Sequence, residues 1–212
     1  SVQAASDLNQ TLSKSKVIFG DSAAEIETWG STAYKNLGLS KNQAIGAAAS
    51  FGDMFLQLGF AKDTATGMST SVVQLAADLG AFNNLPTAEV ADMISSAFRG
   101  EYDSLQRLIP NINAARVETE ALAMTGKKSA KELTAQEKAA ATLAIVQRDG
   151  AKAAGAFAAE SDSLAGSQEI LKAAFEDTKA EVGTALLPIM TDLGRWLVDE
   201  GIAAVKDMTK WW

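Results

Sequence analysis

The sequence predicts an all-α fold, and three observations predict it. Alanine and glycine supply much of an apolar content of 47 %, while aromatics make up only 7 %. That mix suits close-packed helices better than sheets of β-branched strands. Large apolar residues recur three and four apart, the period of a helix with one packed face. Ser or Thr stands three residues before Glu or Gln at Ser22–Glu25, Ser40–Gln43 and Thr134–Glu137. This is capping-box spacing, in which the hydroxyl accepts from one backbone N–H and the longer side chain reaches back to another. With 212 residues and 21 % charged residues, the chain carries enough apolar surface to fold. By pattern it divides into a compact multi-helix domain over residues 1–130 and longer helices forming a hairpin or stalk over residues 131–212.

The first helix runs from Val2 to Phe19, with Leu8 and Leu12 on one face, and Gly20 ends it. The Ser22 box opens a helix carrying Ile26, Trp29, Ala33 and Leu37, closed at Gly38. The Ser40 box opens another that runs to about Phe60 and buries Ile45, Phe51, Phe55 and Leu58. Its Gly46, Ala47, Ala48, Ala49, Ser50 and Gly52 permit close backbone approach. Thr64 to Ala81 forms a further helix with Val72, Leu75, Ala76 and Leu79 on one side. Phe82-Asn83-Asn84-Leu85-Pro86 is a turn: asparagine tolerates left-handed backbone and proline pre-sets the next helix. Val90, Met93, Ile94 and Phe98 repeat at helical spacing up to Gly100. A short helix follows from Glu101 to Ile109, ended by Pro110, and another from Ile112 to Met124, ended by Gly126.

After Gly126 the text changes. The Thr134 box opens alanine-rich helix to Phe157, weakened at Gly150 and Gly155. Ser161 to Gly166 is polar and breaks or kinks the run. Then Leu164, Leu171, Phe175, Val182, Leu186, Ile189, Leu193 and Trp196 form an apolar stripe, the pattern of a helix packing along one side. Pro188 falls inside it and is expected to kink it. Ile202, Val205, Met208 and Trp212 begin a new phase after Gly201. The start without methionine and the end at Trp211-Trp212 inside an amphipathic pattern read as an excerpt of a longer protein, truncated at its C-terminus.

Composition removes several chemistries. There is no cysteine and no histidine, so disulfides, thiolate metal sites and Ser-His-Asp catalysis are excluded. The net charge is −7, and the densest basic cluster is Lys127-Lys128 with Lys131 beside Glu132. That is a solvated turn, not the basic face a duplex binder needs. Ala44 to Ala61 is the most apolar run, but Asp53 and Gln57 interrupt it short of the roughly 20 residues of a span. Gly126-Lys127-Lys128-Ser129 fails as a phosphate-binding loop, because Ala121 stands where the first glycine is required.

Acidic neighbours at Glu101 with Asp103, Glu118 with Glu120, Glu160 with Asp162, Glu176-Asp177 and Asp199-Glu200 diverge around their helices rather than face across a cleft. Trp196 fits the apolar stripe; Trp211 and Trp212 read as residues whose burying partner lies elsewhere, or as a membrane-interface pair. No residue is assigned a catalytic, cofactor-binding or metal-ligating role.

From about Asp7 to Trp196 the sequence resembles the helical region of phage tail tape measure (tail length) proteins. Ser71-Val72-Val73-Gln74-Leu75-Ala76-Ala77-Asp78-Leu79 with Phe82-Asn83 is similar to the family's "LAAD" helix and its turn. Ala97-Phe98-Arg99-Gly100-Glu101-Tyr102-Asp103-Ser104-Leu105 is similar to its "G-E-x-x-S-L" junction. Phe157-Ala158 through Ser161-Asp162-Ser163-Leu164-Ala165, then Phe175-Glu176-Asp177 and Glu181 to Pro188, are similar to its second block.

The resemblance implies a non-catalytic structural role in tail length determination, tail assembly and genome delivery. It implies tail tube, tail tip and assembly-chaperone proteins as partners, with homo-oligomers inside the tail and membrane contact during ejection. The implied location is the interior of the phage tail tube, after synthesis in the bacterial cytoplasm or from a prophage. No specific nucleic-acid binding is expected. Rival readings are a membrane-interacting or pore-assisting segment and a partner-binding helical module; a cell-wall hydrolase ranks last.

Overall fold

The computed structural model describes residues 1–160 and 164–196, and no strand occurs among them. Among the described residues ten α-helices follow one another, here labelled α1 (Val2–Phe19), α2 (Ala23–Ser31), α3 (Ala33–Leu37), α4 (Lys41–Gln57) and α5 (Lys62–Asn83). The rest are α6 (Thr87–Phe98), α7 (Ala114–Thr125), α8 (Ala135–Gly150), α9 (Ala156–Glu160) and α10 (Leu164–Trp196). The all-α class expected from composition and period is the class observed.

Helix α5 is central, packed against α4, α6 and α9. It buries Val72, Val73, Ala76, Ala77 and Leu79, and each large side chain so removed from water contributes about 1.5–3 kcal/mol. Around it Phe51 and Phe55 of α4 meet Phe98 of α6. The Phe55 and Phe98 rings lie 5.0 Å apart at 88°, the edge-to-face arrangement that aromatic quadrupoles favour. A second, smaller core joins Ile18 and Phe19 of α1, Ile26 of α2 and Ile45, Ala48 and Ala49 of α4. Helix α4 thus serves both cores, which explains its small residues. Gly52 approaches α1 so closely that an added Cβ would stand 2.6 Å from a ring carbon of Phe19.

Two of the three capping boxes form. Ser40 and Thr134 each accept from the N–H three residues on, and Gln43 and Glu137 accept in return. Ser22 does not cap: it lies in a 3₁₀ turn that runs straight into α2. The helix expected up to Gly38 is instead broken at Thr32. There the Ser31 and Thr32 hydroxyls donate to the Glu27 and Trp29 carbonyls, a competition with the helical ladder that these residues often win. The stretch 101–109 forms only a 3₁₀ turn at Leu105–Arg107. Gly100 at φ +89° and Pro110 interrupt helical backbone on either side of it.

The boundary expected near residue 130 does not separate two cores. Ala139, Ala141, Ile145, Val146, Ala153 and Phe157 belong to the same buried cluster as Phe55, Val72 and Ile94. The compact unit therefore continues to Phe157. Helix α8 lies against α7, and α10 runs 33 residues along α1, touching α3 and α4 as well. It passes through Pro188 as one helix.

The face α10 presents to α1 also differs from expectation. Ala173, Ala180 and Gly183 are buried, and a Cβ on Gly183 would fall on the Ser1 carbonyl. Leu171, Phe175 and Val182 of the expected packing stripe are exposed. Close approach of two helix backbones selects small side chains, so the large ones turn outward. The run from Ile202 to Trp212 lies outside the described residues.

Candidate functional site

A cleft with polar groups lies where α10 crosses the bundle. It encloses about 580 Å³ and is lined by Leu8, Asn9 and Leu12 of α1, Glu27, Tyr34 and Lys41 of the bundle, and Asp177 and Glu181 of α10. Lys41 organises it. As the first residue of α4, Lys41 carries one of the N–H groups that a helix leaves without an internal partner. That N–H donates to Asp177 Oδ1 at 2.6 Å, so a carboxylate from α10 supplements the Ser40–Gln43 cap at the positive end of α4. The Lys41 ammonium donates to Glu27 Oε1 at 2.8 Å.

Burial pushes the Asp177 carboxyl above its ordinary value of 3.8. The Lys41 N–H opposes the shift, and the nearby Glu181 and Glu176 charges add to it.

Chemically the cleft holds carboxylates and one engaged lysine. Three of its hydroxyl groups are committed to their own helices: Ser31 donates to Glu27, Thr178 to Ala174 and Thr184 to Ala180, each at 2.9 Å. None is aimed at a base that could activate it as a nucleophile. Among the described residues no three acidic groups converge where a metal ion could be held. The arrangement ties α10 to α4 and α2.

The other acidic residues noted in the sequence are dispersed, as their spacing requires. Glu118 pairs with Lys138 at 2.8 Å and Glu120 with Arg148 at 2.9 Å, fastening α7 to α8. Glu101 and Asp103 are exposed on the turn after Gly100. Asp162, Asp199 and Glu200 lie outside the described residues. In the basic turn, Lys127 donates to the Glu132 carbonyl and to Glu137 Oε2, both at 2.7 Å, so it stitches a connection closed.

One contact was not foreseen. The Asp78 carboxylate, 7 % exposed on α5, accepts from the Phe157 N–H at 3.3 Å. Asp78 belongs to the Ser71–Leu79 motif and Phe157 opens the second motif block, so two of the three motif regions meet in space. The sequence signal was a lone carboxylate on the apolar side of α5. No family model, curated protein or solved structure matches the chain. What the chain does must therefore be argued from its own residues.

Proposed function

We propose that this chain is a structural, non-catalytic region of a phage tail tape measure protein, acting in tail length determination, assembly and genome delivery. The observation that carries the reading is the three motifs, Ser71–Leu79, Ala97–Leu105 and the block from Phe157 to Pro188, in that order. The junction of Asp78 with Phe157 supports it by giving two of those regions a shared structural task. The engagement of the cleft's lysine, and of several of its hydroxyls, in helix-to-helix contacts supports a role in span and packing over one in catalysis. A chain of net charge −7 sharing a tube with DNA is repelled by it and does not adhere.

In this reading residues 2–160 are a folded module within a protein whose other parts are extended. A continuous helix rises about 1.5 Å per residue, so a compact bundle contributes much less length than the same residues drawn out. The module marks a position on the ruler.

The test is mass spectrometry and electron microscopy of phage particles whose parent gene carries this region. Peptides from it are expected in purified tails, and in-frame removal of residues 1–196 is expected to give shortened or aborted tails. Absence of the peptides from purified particles sinks the proposal. Limited proteolysis of the isolated chain tests the folded module, for which a protected fragment ending near residue 160 is expected. A membrane-penetrating role is the rival reading. No described helix is long and apolar enough to cross a bilayer, and release of dye from liposomes by the chain would favour the rival.

A further inference from the structure

The contacts that tie α10 to the bundle leave part of the cleft between them unused. Its volume of about 580 Å³ falls within the roughly 300–1,000 Å³ typical of small-ligand sites. Leu8 and Leu12 of α1, with Ala174 and Ala180 of α10, give it an apolar wall. Three carboxylates line it, those of Glu27, Asp177 and Glu181, against the single ammonium of Lys41. That ammonium is engaged with Glu27 at 2.8 Å, and the Lys41 backbone N–H reaches only Oδ1 of Asp177. Among the described residues, Asp177 Oδ2, the Glu181 carboxylate, the Tyr34 hydroxyl and the Asn9 side-chain amide have no hydrogen-bond or ion-pair partner.

These free groups set the chemistry of an occupant. Asp177 and Glu181 stand four residues apart on one face of α10, where like charges oppose each other. Burial raises the Asp177 carboxyl, and the Glu181 and Glu176 charges raise it further. The excess of negative charge repels an anion and favours a cation. Among the described residues no three acidic groups converge on a metal ion, and a hard divalent ion gains nothing from the apolar wall. An organic cation with an alkyl body uses both. A primary ammonium has three donors that can turn to acceptors on separate walls, whereas the planar guanidinium fork is matched to one carboxylate.

We propose that this cleft binds a free aliphatic amine in its ammonium form. The head donates to Asp177 Oδ2, Glu181 and the Tyr34 hydroxyl, and the tail lies on Leu8 and Leu12. Because its acceptors come from α10 and from the bundle, the bound amine also clamps α10 in place. The site does not depend on the tail assignment.

The probe is n-pentylamine, which is protonated at neutral pH as a lysine side chain is. It is titrated into the isotope-labelled 212-residue chain. Amide resonances of residues 8–12 and 174–184 are expected to shift and saturate, with a Kd on the order of 1 mM for so small a ligand. Hydrogen exchange over 174–184 is expected to slow as the amine is added. Pentan-1-ol carries the tail without the charge, and methylammonium carries the charge without the tail. Each is expected to bind at least about tenfold more weakly.

Glu181→Gln and Tyr34→Phe are expected to weaken pentylamine binding by about threefold to tenfold each. Glu101→Gln removes the same charge from the exposed turn after Gly100 and is expected to bind as the wild type does. Methylammonium binding as tightly as pentylamine overturns the proposal, because diffuse surface charge then accounts for the effect. So does an equal loss for Glu101→Gln and Glu181→Gln, and so do shifts that never saturate or that map away from the cleft. Nα-acetyl-lysine methylamide presents the same head on a peptide. If it binds more tightly than pentylamine, the cleft takes a lysine of another protein and the free-amine assignment falls.

Discussion

The Asp78 carboxylate accepts a hydrogen bond from the Phe157 backbone N–H across 79 residues of sequence. It is nearly buried, and it joins the C-terminal third of α5 to the start of α9, just after Gly155 bends the chain at φ +78°. Removing a buried acceptor strands its donor, which costs about 1–3 kcal/mol. Asp78→Ala is therefore expected to lose that much stability in urea unfolding, and hydrogen exchange at residues 156–160 is expected to speed up first. Asp78→Asn keeps an acceptor oxygen and is expected to lose less. Equal losses for the two variants would place the effect in packing and not in the hydrogen bond.

Asp177 gives α10 a pH dependence of a definite sign. Its carboxyl is raised above its ordinary value by burial, against the pull of the Lys41 N–H. A group whose pKa is higher folded than unfolded binds its proton more tightly in the folded state. Its charged form is therefore the costly one, and stability from this group rises as pH falls from neutral through the raised pKa. Glu27, Lys41, Glu176 and Glu181 surround it and enter the balance. Asp177→Asn keeps an acceptor for Lys41 and removes the charge. Its α10 amides are expected to be better protected from exchange than the wild type's at neutral pH, with the gap closing as pH falls. Better protection of the wild type at neutral pH would show that the charge–dipole attraction outweighs burial.

Local rules made much of this fold legible, and tertiary choices hid the rest. The limits of α1 and the caps at Ser40 and Thr134 rest on interactions within four residues, which a sequence displays. The Ser22 box has the same letters, but the chain there is already turning helically, so there is no extended residue to act as a cap. Leu171, Phe175 and Val182 mark a strong apolar stripe, and size alone points to it as the packing face. The bundle chose the opposite face because α1 and α10 meet backbone to backbone, where Ala173, Ala180 and Gly183 are the residues that fit. The cleft was hidden for a related reason: Asp177 reads as a surface acid until Lys41, 136 residues earlier, is brought beneath it.

Two glycines in α5 are expected to respond oppositely to alanine. Gly67 is exposed, and a Cβ there would meet nothing within 4 Å, so Gly67→Ala gains about 0.5–1 kcal/mol by restricting the unfolded chain. Gly80 is buried, and a Cβ there would stand 2.6 Å from the Leu85 carbonyl oxygen. That atom belongs to the backbone of the turn into α6 and cannot swing aside, so Gly80→Ala is expected to cost about 1–3 kcal/mol. Thermal melts of the two variants should move the midpoint up for Gly67→Ala and down for Gly80→Ala. A neutral Gly80→Ala would mean that the Asn84–Pro86 turn relaxes freely.

Glu137 titrates in the opposite sense to Asp177. The Lys127 ammonium and the Thr134 N–H both donate to its carboxylate, holding it below its ordinary value of 4.5. A depressed folded pKa contributes stability at pH values above the unfolded pKa, and that contribution is lost as pH falls through the folded pKa. Lys127→Met removes the larger cause while leaving the Thr134 cap in place. The Glu137 carboxyl resonance is then expected to titrate at higher pH than in the wild type while remaining below 4.5, because the backbone donor persists. Thr134→Ala breaks the hydroxyl half of the box but keeps the Thr134-position N–H, so it is expected to move the Glu137 titration less than Lys127→Met does. It is also expected to weaken the helix start by about 1 kcal/mol. If Lys127→Met leaves the Glu137 titration unmoved, the lysine bonds only the Glu132 carbonyl in solution, and the turn from Gly126 to Leu133 is closed without an ion pair.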